Sequence, residues 1–247
     1  MSEPASARAS APTVVLVHGA FADASGWSDV IQLLHTDGVK ATAPANPLRG
    51  IAHDSAYIAS LFEQIPGPIL AVGHSYGGAV ITNAASTATN VVGLVFVAAF
   101  APDEGERLSE AESNSKDSVL NSALVPLKYP SGPDGEMAVE FAIDPAKFRD
   151  AFAHDLPPEQ TAVMAATQRP VAEGAFSEQS GTPAWKGLPS WAVVATGDKA
   201  AGADVIRSMA KRAGASITEA DGSHVIMMSH PDIVAGVIRD AIARTGG

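Results

Sequence analysis

Short apolar runs alternate along this chain with segments in which apolar residues recur at helical spacing. The runs that are typical of strands cover residues 13–17, 39–43, 68–72, 91–97, 190–195 and 215–219. The first of them holds only apolar or β-branched residues, as is usual for a strand buried on both faces of a sheet. It is followed by an amphipathic helical pattern formed by Trp27, Val30, Ile31 and Leu34. Strands that alternate with helices predict a parallel, doubly wound sheet, here of about six strands.

The alternation stops between residues 101 and 188, where no clean strand pattern is found. Helical patterns occur there instead, as in residues 144–153, where Asp144 can cap the first turn and Pro145 suits it. Long irregular stretches inside a compact domain usually have a functional reason. We expect this inserted segment, between the fourth and fifth strands, to form a helical lid over the carboxyl edge of the sheet. The predicted organisation is a flexible tail (1–12), a core (13–100 and 189–247) and the inserted segment (101–188).

The composition narrows the classes of protein to which the chain can belong. Its 247 residues, 46% apolar and 17% charged, fit one globular α/β domain. A net charge of −11 argues against nucleic acid or an anionic membrane as the main partner. The absence of cysteine excludes disulfides, thiolate metal sites and cysteine nucleophiles, and it suits a cytoplasmic protein. The sequence also shows neither an apolar leader nor an apolar run long enough to span a membrane.

The segment Gly73-His74-Ser75-Tyr76-Gly77 has the pattern Gly-x-Ser-x-Gly. It lies between the predicted strand 68–72 and a helical pattern rich in small residues, and strand, sharp turn and helix are the context in which this pattern exposes a serine hydroxyl. Only glycines fit beside so tight a turn, and the helix N-terminus favours negative charge there. The sequence therefore predicts that Ser75 is a nucleophile.

A serine hydroxyl is a poor nucleophile at neutral pH and needs a base, which in turn needs an orienting group. Of the seven histidines, His224 lies in the loop after the last predicted strand, at the sheet edge where Ser75 is expected. Asp198 follows the fifth strand at the same edge and is the predicted orienting carboxylate. Asp103, after the fourth strand, is the alternative. In folds that contain this serine turn, the three residues follow the order serine, aspartate, histidine along the chain, as they do here.

Stabilisation of a tetrahedral intermediate requires two hydrogen-bond donors. The backbone N–H of Tyr76, directly after the serine, is the predicted first donor. The second is expected in the loop after the first strand, where Ala20 is preferred and Phe21 is the alternative.

Aromatic side chains are the candidates for binding a substrate. They are Phe21, Tyr129, Phe148, Phe152, Phe176 and Trp185. They indicate a small or medium apolar acyl or alkoxy group, and no arginine clamp for a charged substrate stands out.

Taken together, these stretches resemble the α/β-hydrolase superfamily over nearly the whole chain. The stretches that carry the resemblance are 15–20 with Gly26-Trp27, the turn around Ser75, 196–199 and 221–224. The likeness extends to the small, lid-bearing branch with plant methylesterases, hydroxynitrile lyases and bacterial carboxylesterases. The resemblance implies the α/β-hydrolase fold, a triad of Ser75, Asp198 and His224, and a substrate pocket between sheet and lid. It also implies that no metal or organic cofactor is used.

The resemblance alone leaves the reaction open, because that branch also contains lyases. Its hydroxynitrile lyases carry a lysine directly after the histidine and a threonine in the first oxyanion loop, whereas this chain has Val225 and no hydroxyl in 19–21. This difference favours hydrolysis of small to medium carboxylic esters through an acyl-enzyme. The alternatives are a cofactor-free lyase or C–C bond hydrolase that uses the same triad, and a non-catalytic ligand-binding protein. Homodimerisation stays open, and the expected partner is a small-molecule ester.

Overall fold

The computed structural model describes residues 11–132 and 134–246. Its strands are β1 (Thr13–Val17), β2 (Ala41–Thr42), β3 (Ile69–His74), β4 (Val91–Val97), β5 (Leu124–Pro130), β6 (Met137–Ile143), β7 (Val171–Ala172), β8 (Ser190–Ala195) and β9 (Ser216–Ala220). Its α-helices are α1 (Ser28–Thr36), α2 (Ile51–Gln64), α3 (Tyr76–Ala84), α4 (Leu108–Ser113), α5 (Pro145–Phe152), α6 (Pro158–Thr167), α7 (Gly174–Ser177), α8 (Ala203–Arg212), α9 (Ile226–Ser229) and α10 (Pro231–Thr245). Of the predicted tail 1–12, residues 1–10 lie outside the described ranges.

The central sheet has six strands in the order β2-β1-β3-β4-β8-β9, and all neighbours are parallel. This confirms the predicted α/β fold. Every residue of β3 and of β8 is buried, as expected for strands covered on both faces of the sheet. None of the helices in the described part of the chain combines the length and the apolarity needed to cross a membrane.

The strand order places a crevice at the carboxyl ends of β1 and β3. The chain moves from β1 to β2 in one direction along the sheet and then returns past β1 to β3. Because parallel crossovers are right-handed, this reversal puts α1 and α2 on opposite faces and leaves a topological switch point between β1 and β3. The loop after β1 and the turn after β3 therefore meet at the edge where ligands bind in open α/β sheets.

The inserted segment contains an antiparallel sheet, β5-β6-β7, beside its helices α4 to α7. The expectation that it has no strands was wrong. The strand β5 has two prolines, Pro126 and Pro130, and mostly exposed side chains, so it lacks the apolar alternation by which strands are found. Prolines are tolerated there because β5 is the edge of the small sheet.

Helix α2 begins at Ile51, and a buried carboxylate stabilises this start. The Asp54 side chain accepts hydrogen bonds from the backbone N–H of Arg49 at 3.0 and 3.1 Å. A carboxylate in the first turn satisfies N–H groups that have no partner within the helix and favours the positive end of its dipole.

Glu112, in α4 of the inserted segment, carries a buried carboxyl group. It is 4% exposed, and its Oε1 atom has no hydrogen-bond partner among the described residues. Burial raises the pKa of Glu112 to about 7. The folded protein therefore holds the proton more tightly than the unfolded chain, so stability is highest below the unfolded pKa and is lost as the pH rises towards 7.

We expect Glu112→Gln to remove this loss. Between pH 5 and pH 8, the free energy of unfolding of the wild-type protein should fall relative to the variant by on the order of 2 kcal/mol. Chemical denaturation at both pH values measures the difference. Glu110→Gln is the matched control, because Glu110 lies in the same helix with a side chain 65% exposed. Equal pH dependence in wild type, variant and control would contradict the assignment.

Candidate active site

The chain turns sharply after β3, and Ser75 occupies the turn with φ 54° and ψ −124°. Such a conformation is costly for a residue with a side chain and persists only where the surroundings fix it. Here the Ser75 N–H donates to the carbonyl oxygen of Val97 at 3.3 Å, and the Ser75 carbonyl accepts from Gly78 and Phe100 at 3.0 and 3.2 Å. The turn is therefore held by the neighbouring strand β4, with the serine directly before the N-terminus of α3.

Glycines around the turn are needed for close backbone packing. A Cβ atom on Gly73 would lie 2.6 Å from the backbone of Gly77, and one on Gly77 would strike the carbonyl oxygen of Val17. A Cβ atom on Gly19 would lie 2.6 Å from the Ser75 Cβ. Since these distances are too short for any side chain, the loop after β1 can pack directly against Ser75 only with glycine at these positions.

His224 and Asp198 are brought together from the loops after β9 and β8. The His224 Nδ1 atom lies 2.7 Å from Asp198 Oδ2, and both side chains are 1% exposed. The second carboxylate oxygen, Oδ1, accepts the backbone N–H groups of Ala200 and Ala201 at 2.9 and 3.1 Å. With the carboxylate accepting, Nδ1 carries the proton of a neutral imidazole, and Nε2 is then the atom that can take a proton.

Asp103, the alternative carboxylate, has other partners. It forms an ion pair with Lys186 at 2.5 Å and accepts the backbone N–H of Glu104 at 2.7 Å. The hydrogen bond from Lys186 holds the pKa of Asp103 below its usual range. Within the described residues, the carboxylate bonded to His224 is that of Asp198.

Two further histidines hold the loops around Ser75. The His74 Nε2 atom donates to the carbonyl oxygen of His224 at 2.9 Å, with the two rings 4.7 Å apart. His18 bonds through Nδ1 to the Gly19 carbonyl and through Nε2 to the Asn46 N–H, each at 2.9 Å. Burial lowers the pKa of His18 and lowers that of His74 further, so both rings are neutral. Their bonds to the backbone give them a structural role.

The predicted oxyanion donors have unused hydrogen-bonding capacity. In the part of the chain that the structure describes, the backbone N–H groups of Tyr76, Ala20 and Phe21 donate to no protein acceptor. Phe21 has a φ of 60°, which is uncommon for a residue with a side chain and typical of functional loops. The N–H groups of Tyr76 and of the loop after β1 are therefore candidates for binding an oxygen atom of a ligand.

The Tyr76 side chain is hydrogen-bonded to Asp54, a residue that was not predicted from the sequence. Its hydroxyl donates to Asp54 Oδ2 at 2.8 Å, and both side chains are fully buried. Burial, reinforced by the charge of Asp54, raises the pKa of Tyr76 well above its usual range, so the hydroxyl stays a donor. The carboxylate that caps α2 therefore also fixes the residue after the serine. The only local signal for it was an aspartate in the first turn of a helix.

A narrow cavity lies above Ser75, and within it the space open to the centre of a water molecule is about 10 Å³. The residues lining it are Ala20, Phe21, Ser75, Phe100, Leu120, Phe152, Phe176, Ala200, Ala201 and His224. Ser75 and His224 are thus the polar side chains of an otherwise apolar site. Within residues 11–132 and 134–246, no group of three His, Cys, Asp or Glu side chains is arranged to hold a metal ion.

Three of the six predicted substrate-binding aromatics line this cavity, namely Phe21, Phe152 and Phe176. The other three lie elsewhere for identifiable reasons. Tyr129, on the edge strand β5, has the Arg49 guanidinium 4.4 Å above its ring. Phe148 packs behind Phe152 at 5.1 Å between ring centroids, and the Trp185 indole donates to the carbonyl oxygen of Pro102 at 3.0 Å.

Four lining residues were missed by sequence reasoning. Ala200 and Ala201 lie two and three residues after Asp198, so their proximity was a usable signal. Phe100 follows β4 and shares its sheet edge with Ser75. Leu120 lies in the inserted segment, and nothing local marks it as a cavity residue.

Several solved structures are similar to this chain over almost its full length. Polyneuridine aldehyde esterase has a TM-score of 0.79 at 19% identity, covering 94% of this chain and 99% of its own. A pyrethroid hydrolase from Sphingobium faniae JZ-2 has a TM-score of 0.76 at 19% identity, covering 94% and 97%. Tomato methylketone synthase I, complexed with 2-tridecanone, has a TM-score of 0.75 at 21% identity, covering 95% and 98%. These likenesses show the fold.

A search of curated protein sequences found no match. The sequence model of the alpha/beta hydrolase family, in contrast, matches residues 14–237. This range includes the turn at Ser75, the loops of Asp198 and His224, and the whole inserted segment. The chain therefore belongs to the alpha/beta hydrolase family.

Proposed function

We propose that this protein is a serine hydrolase that cleaves small to medium carboxylic esters through an acyl-enzyme. The observation that carries the proposal is the buried 2.7 Å contact between His224 Nδ1 and Asp198, since His224 lines the same cavity as Ser75 on its strained turn. A base oriented by a carboxylate beside a serine of this kind is the arrangement that activates a hydroxyl group.

The first half of the reaction forms the acyl-enzyme. Ser75 Oγ attacks the ester carbonyl carbon while His224 Nε2 takes the hydroxyl proton, and Asp198 stabilises the resulting imidazolium without taking the proton itself. The N–H groups of Tyr76 and Ala20, with Phe21 as the alternative second donor, bind the oxyanion. Donors of this kind contribute about 3 kcal/mol each to the transition state.

The first half ends when the tetrahedral intermediate collapses to the acyl-enzyme and His224 gives its proton to the departing alcohol. The second half releases the acid. A water molecule then attacks the acyl carbonyl while His224 again accepts a proton, and breakdown of this second intermediate returns that proton to Ser75. Since the inserted segment supplies Leu120, Phe152 and Phe176 to a cavity with little free volume, substrate admission requires this segment to act as a lid.

The cavity lining supports an uncharged substrate. Its residues are alanine, leucine and phenylalanine apart from Ser75 and His224, and no lysine or arginine is among them. Apolar walls bind apolar acyl or alkoxy groups and offer no cation to a carboxylate or to a cyanide leaving group. Two of the structurally similar proteins are named as an esterase and a pyrethroid hydrolase, which supports a hydrolase.

Hydrolysis of p-nitrophenyl acetate and butyrate by the purified protein tests the proposal, together with labelling by a fluorophosphonate followed by intact-mass analysis. We expect turnover of the esters and addition of one phosphonyl group. A protein that neither turns over the esters nor reacts with the label would contradict the serine hydrolase. Labelling without ester turnover would instead favour the lyase or C–C bond hydrolase, which product analysis with non-ester substrates would identify.

A further inference from the structure

We propose that His154 and Asp155, neighbours in the inserted segment, are positioning residues that hold the Asp198 loop and the His224 loop at a fixed spacing. The catalytic part of this inference rests on the function proposed above. We call the two residues the clamp. They lie between α5 and α6, so the clamp connects the inserted segment to both loops at once.

The first contact fixes the loop that carries Asp198. The His154 Nε2 atom lies 3.0 Å from the carbonyl oxygen of Gly197. Because a carbonyl only accepts hydrogen bonds, Nε2 is the protonated nitrogen of this ring. Gly197 itself lies against the ring, since a Cβ atom on it would lie 3.3 Å from His154 Nε2 and 2.8 Å from the Gly222 carbonyl oxygen. The His154 ring therefore sits directly against the backbone before Asp198.

The second contact fixes the loop that carries His224. Asp155 Oδ2 accepts the backbone N–H of Ser223 at 2.8 Å, directly before the histidine. A Cβ atom on Gly222 would lie 3.3 Å from the same oxygen, so glycine at this position leaves room for the Asp155 carboxylate. Burial acts to raise the pKa of Asp155, but the hydrogen bonds from Ser223 outweigh it and hold the pKa below its usual range. The carboxylate is thus charged at neutral pH and is a strong acceptor.

The Asp198 loop and the His224 loop are also hydrogen-bonded directly to each other, next to the contacts of the clamp. The Gly197 N–H donates to the Gly222 carbonyl oxygen at 3.0 Å. The clamp bonds the backbone groups that follow this link in each loop. These are the Gly197 carbonyl, before Asp198, and the Ser223 N–H, before His224. A fixed spacing matters there, because displacing a catalytic group by about 1 Å can cost about 10²-fold in rate.

The clamp is itself fixed to the end of α5. The Arg149 Nη2 atom donates to the His154 carbonyl oxygen at 2.8 Å, which ties the clamp back to its helix. The last residue of that helix, Phe152, lies with its ring 5.1 Å from the His224 ring and lines the cavity. Part of the cavity wall and the bonds to both loops thus come from one continuous stretch of the inserted segment, residues 149–155.

Asp155→Ala should lower kcat for p-nitrophenyl butyrate by about 10- to 100-fold, with little change in KM, because alignment is lost and the cavity is kept. Asp155→Asn keeps an oxygen acceptor for the Ser223 N–H and should recover most of the rate. His154→Ala should also lower kcat. Asp150→Ala is the matched control, because the Asp150 side chain is 87% exposed and its ion pair, with Arg149, is long at 3.9 Å. It should behave as the wild type.

Proton NMR measures the alignment of His224 with Asp198 without any substrate. The proton on His224 Nδ1, shared with Asp198, should give a far-downfield proton NMR signal in the wild type, Asp155→Asn and Asp150→Ala. The signal should be broadened or lost in Asp155→Ala, at a temperature where thermal unfolding shows that variant to be folded. An unchanged signal together with an unchanged kcat in Asp155→Ala would overturn the clamp.

The two proposals fail in distinguishable ways. If the wild type hydrolyses no ester and resists the fluorophosphonate, the proposed function is wrong, and the Nδ1 signal still decides the clamp. If the wild type is active and Asp155→Asn is impaired as strongly as Asp155→Ala, the acceptor role of Asp155 is wrong while the hydrolase stands.

Discussion

Replacing Ser75 with alanine is expected to reduce kcat for p-nitrophenyl butyrate by roughly 10⁴- to 10⁶-fold, the range found when a member of such a catalytic unit is removed. Among the described residues that line the cavity, the Ser75 hydroxyl is the proposed nucleophile, since the other polar side chain there, His224, is held by Asp198. The residual rate comes from substrate binding and the oxyanion donors. Steady-state kinetics and fluorophosphonate labelling measure the loss.

The control separates the chemistry from the fold. Ser75→Ala keeps a Cβ atom of the same size at a turn already fixed by three backbone hydrogen bonds, so its melting temperature should stay close to that of the wild type. Ser190→Ala removes a serine of similar burial, 7% against 6% exposed, at the start of β8. It should keep full activity. A Ser75→Ala protein that is still labelled at an unchanged rate would place the nucleophile elsewhere.

The parts of the fold that were predictable are those set by local sequence. Continuous apolar runs are enough to identify β1, β3, β4 and β8, because a strand buried on both faces has few alternatives. The turn at Ser75 was predictable for the same kind of reason. Glycine is required at Gly73 and Gly77 because a Cβ atom at either position would overlap neighbouring backbone atoms, and both positions belong to one run of five consecutive residues.

The parts that were not predictable depend on contacts between distant segments. The carboxylate of Asp54 reaches the Tyr76 hydroxyl from another helix, and Asp155 reaches the Ser223 N–H across 68 residues of chain. The edge strand β5 was missed because its prolines and exposed side chains carry no apolar period. Aromatic type alone did not separate Phe152, which lines the cavity, from Phe148 one turn earlier, because both are buried.

Asp198→Asn is expected to lower kcat by about 10⁴-fold, because an amide in this position orients the histidine in the wrong tautomer. The structure indicates which way the amide would lie. The Oδ1 position accepts two backbone N–H groups, from Ala200 and Ala201, and only an oxygen can replace it. The amide NH₂ would therefore face His224 Nδ1 and favour the tautomer with the proton on Nε2, which cannot accept the Ser75 proton.

Asp103→Asn is the matched control, because it makes the same chemical change at the rival carboxylate. Asp103 is bound to Lys186 at a partly exposed site, and surface ion pairs contribute at most about 1 kcal/mol to stability, so its loss should leave kcat and KM nearly unchanged. Steady-state kinetics of both variants, with melting temperatures to show that each is folded, decide between the two. Full activity in Asp198→Asn together with a large loss in Asp103→Asn would reverse the assignment. A large loss in Asp198→Asn alone would show that the imidazole must be held in one tautomer, which is the function that the 2.7 Å contact with His224 is proposed to serve.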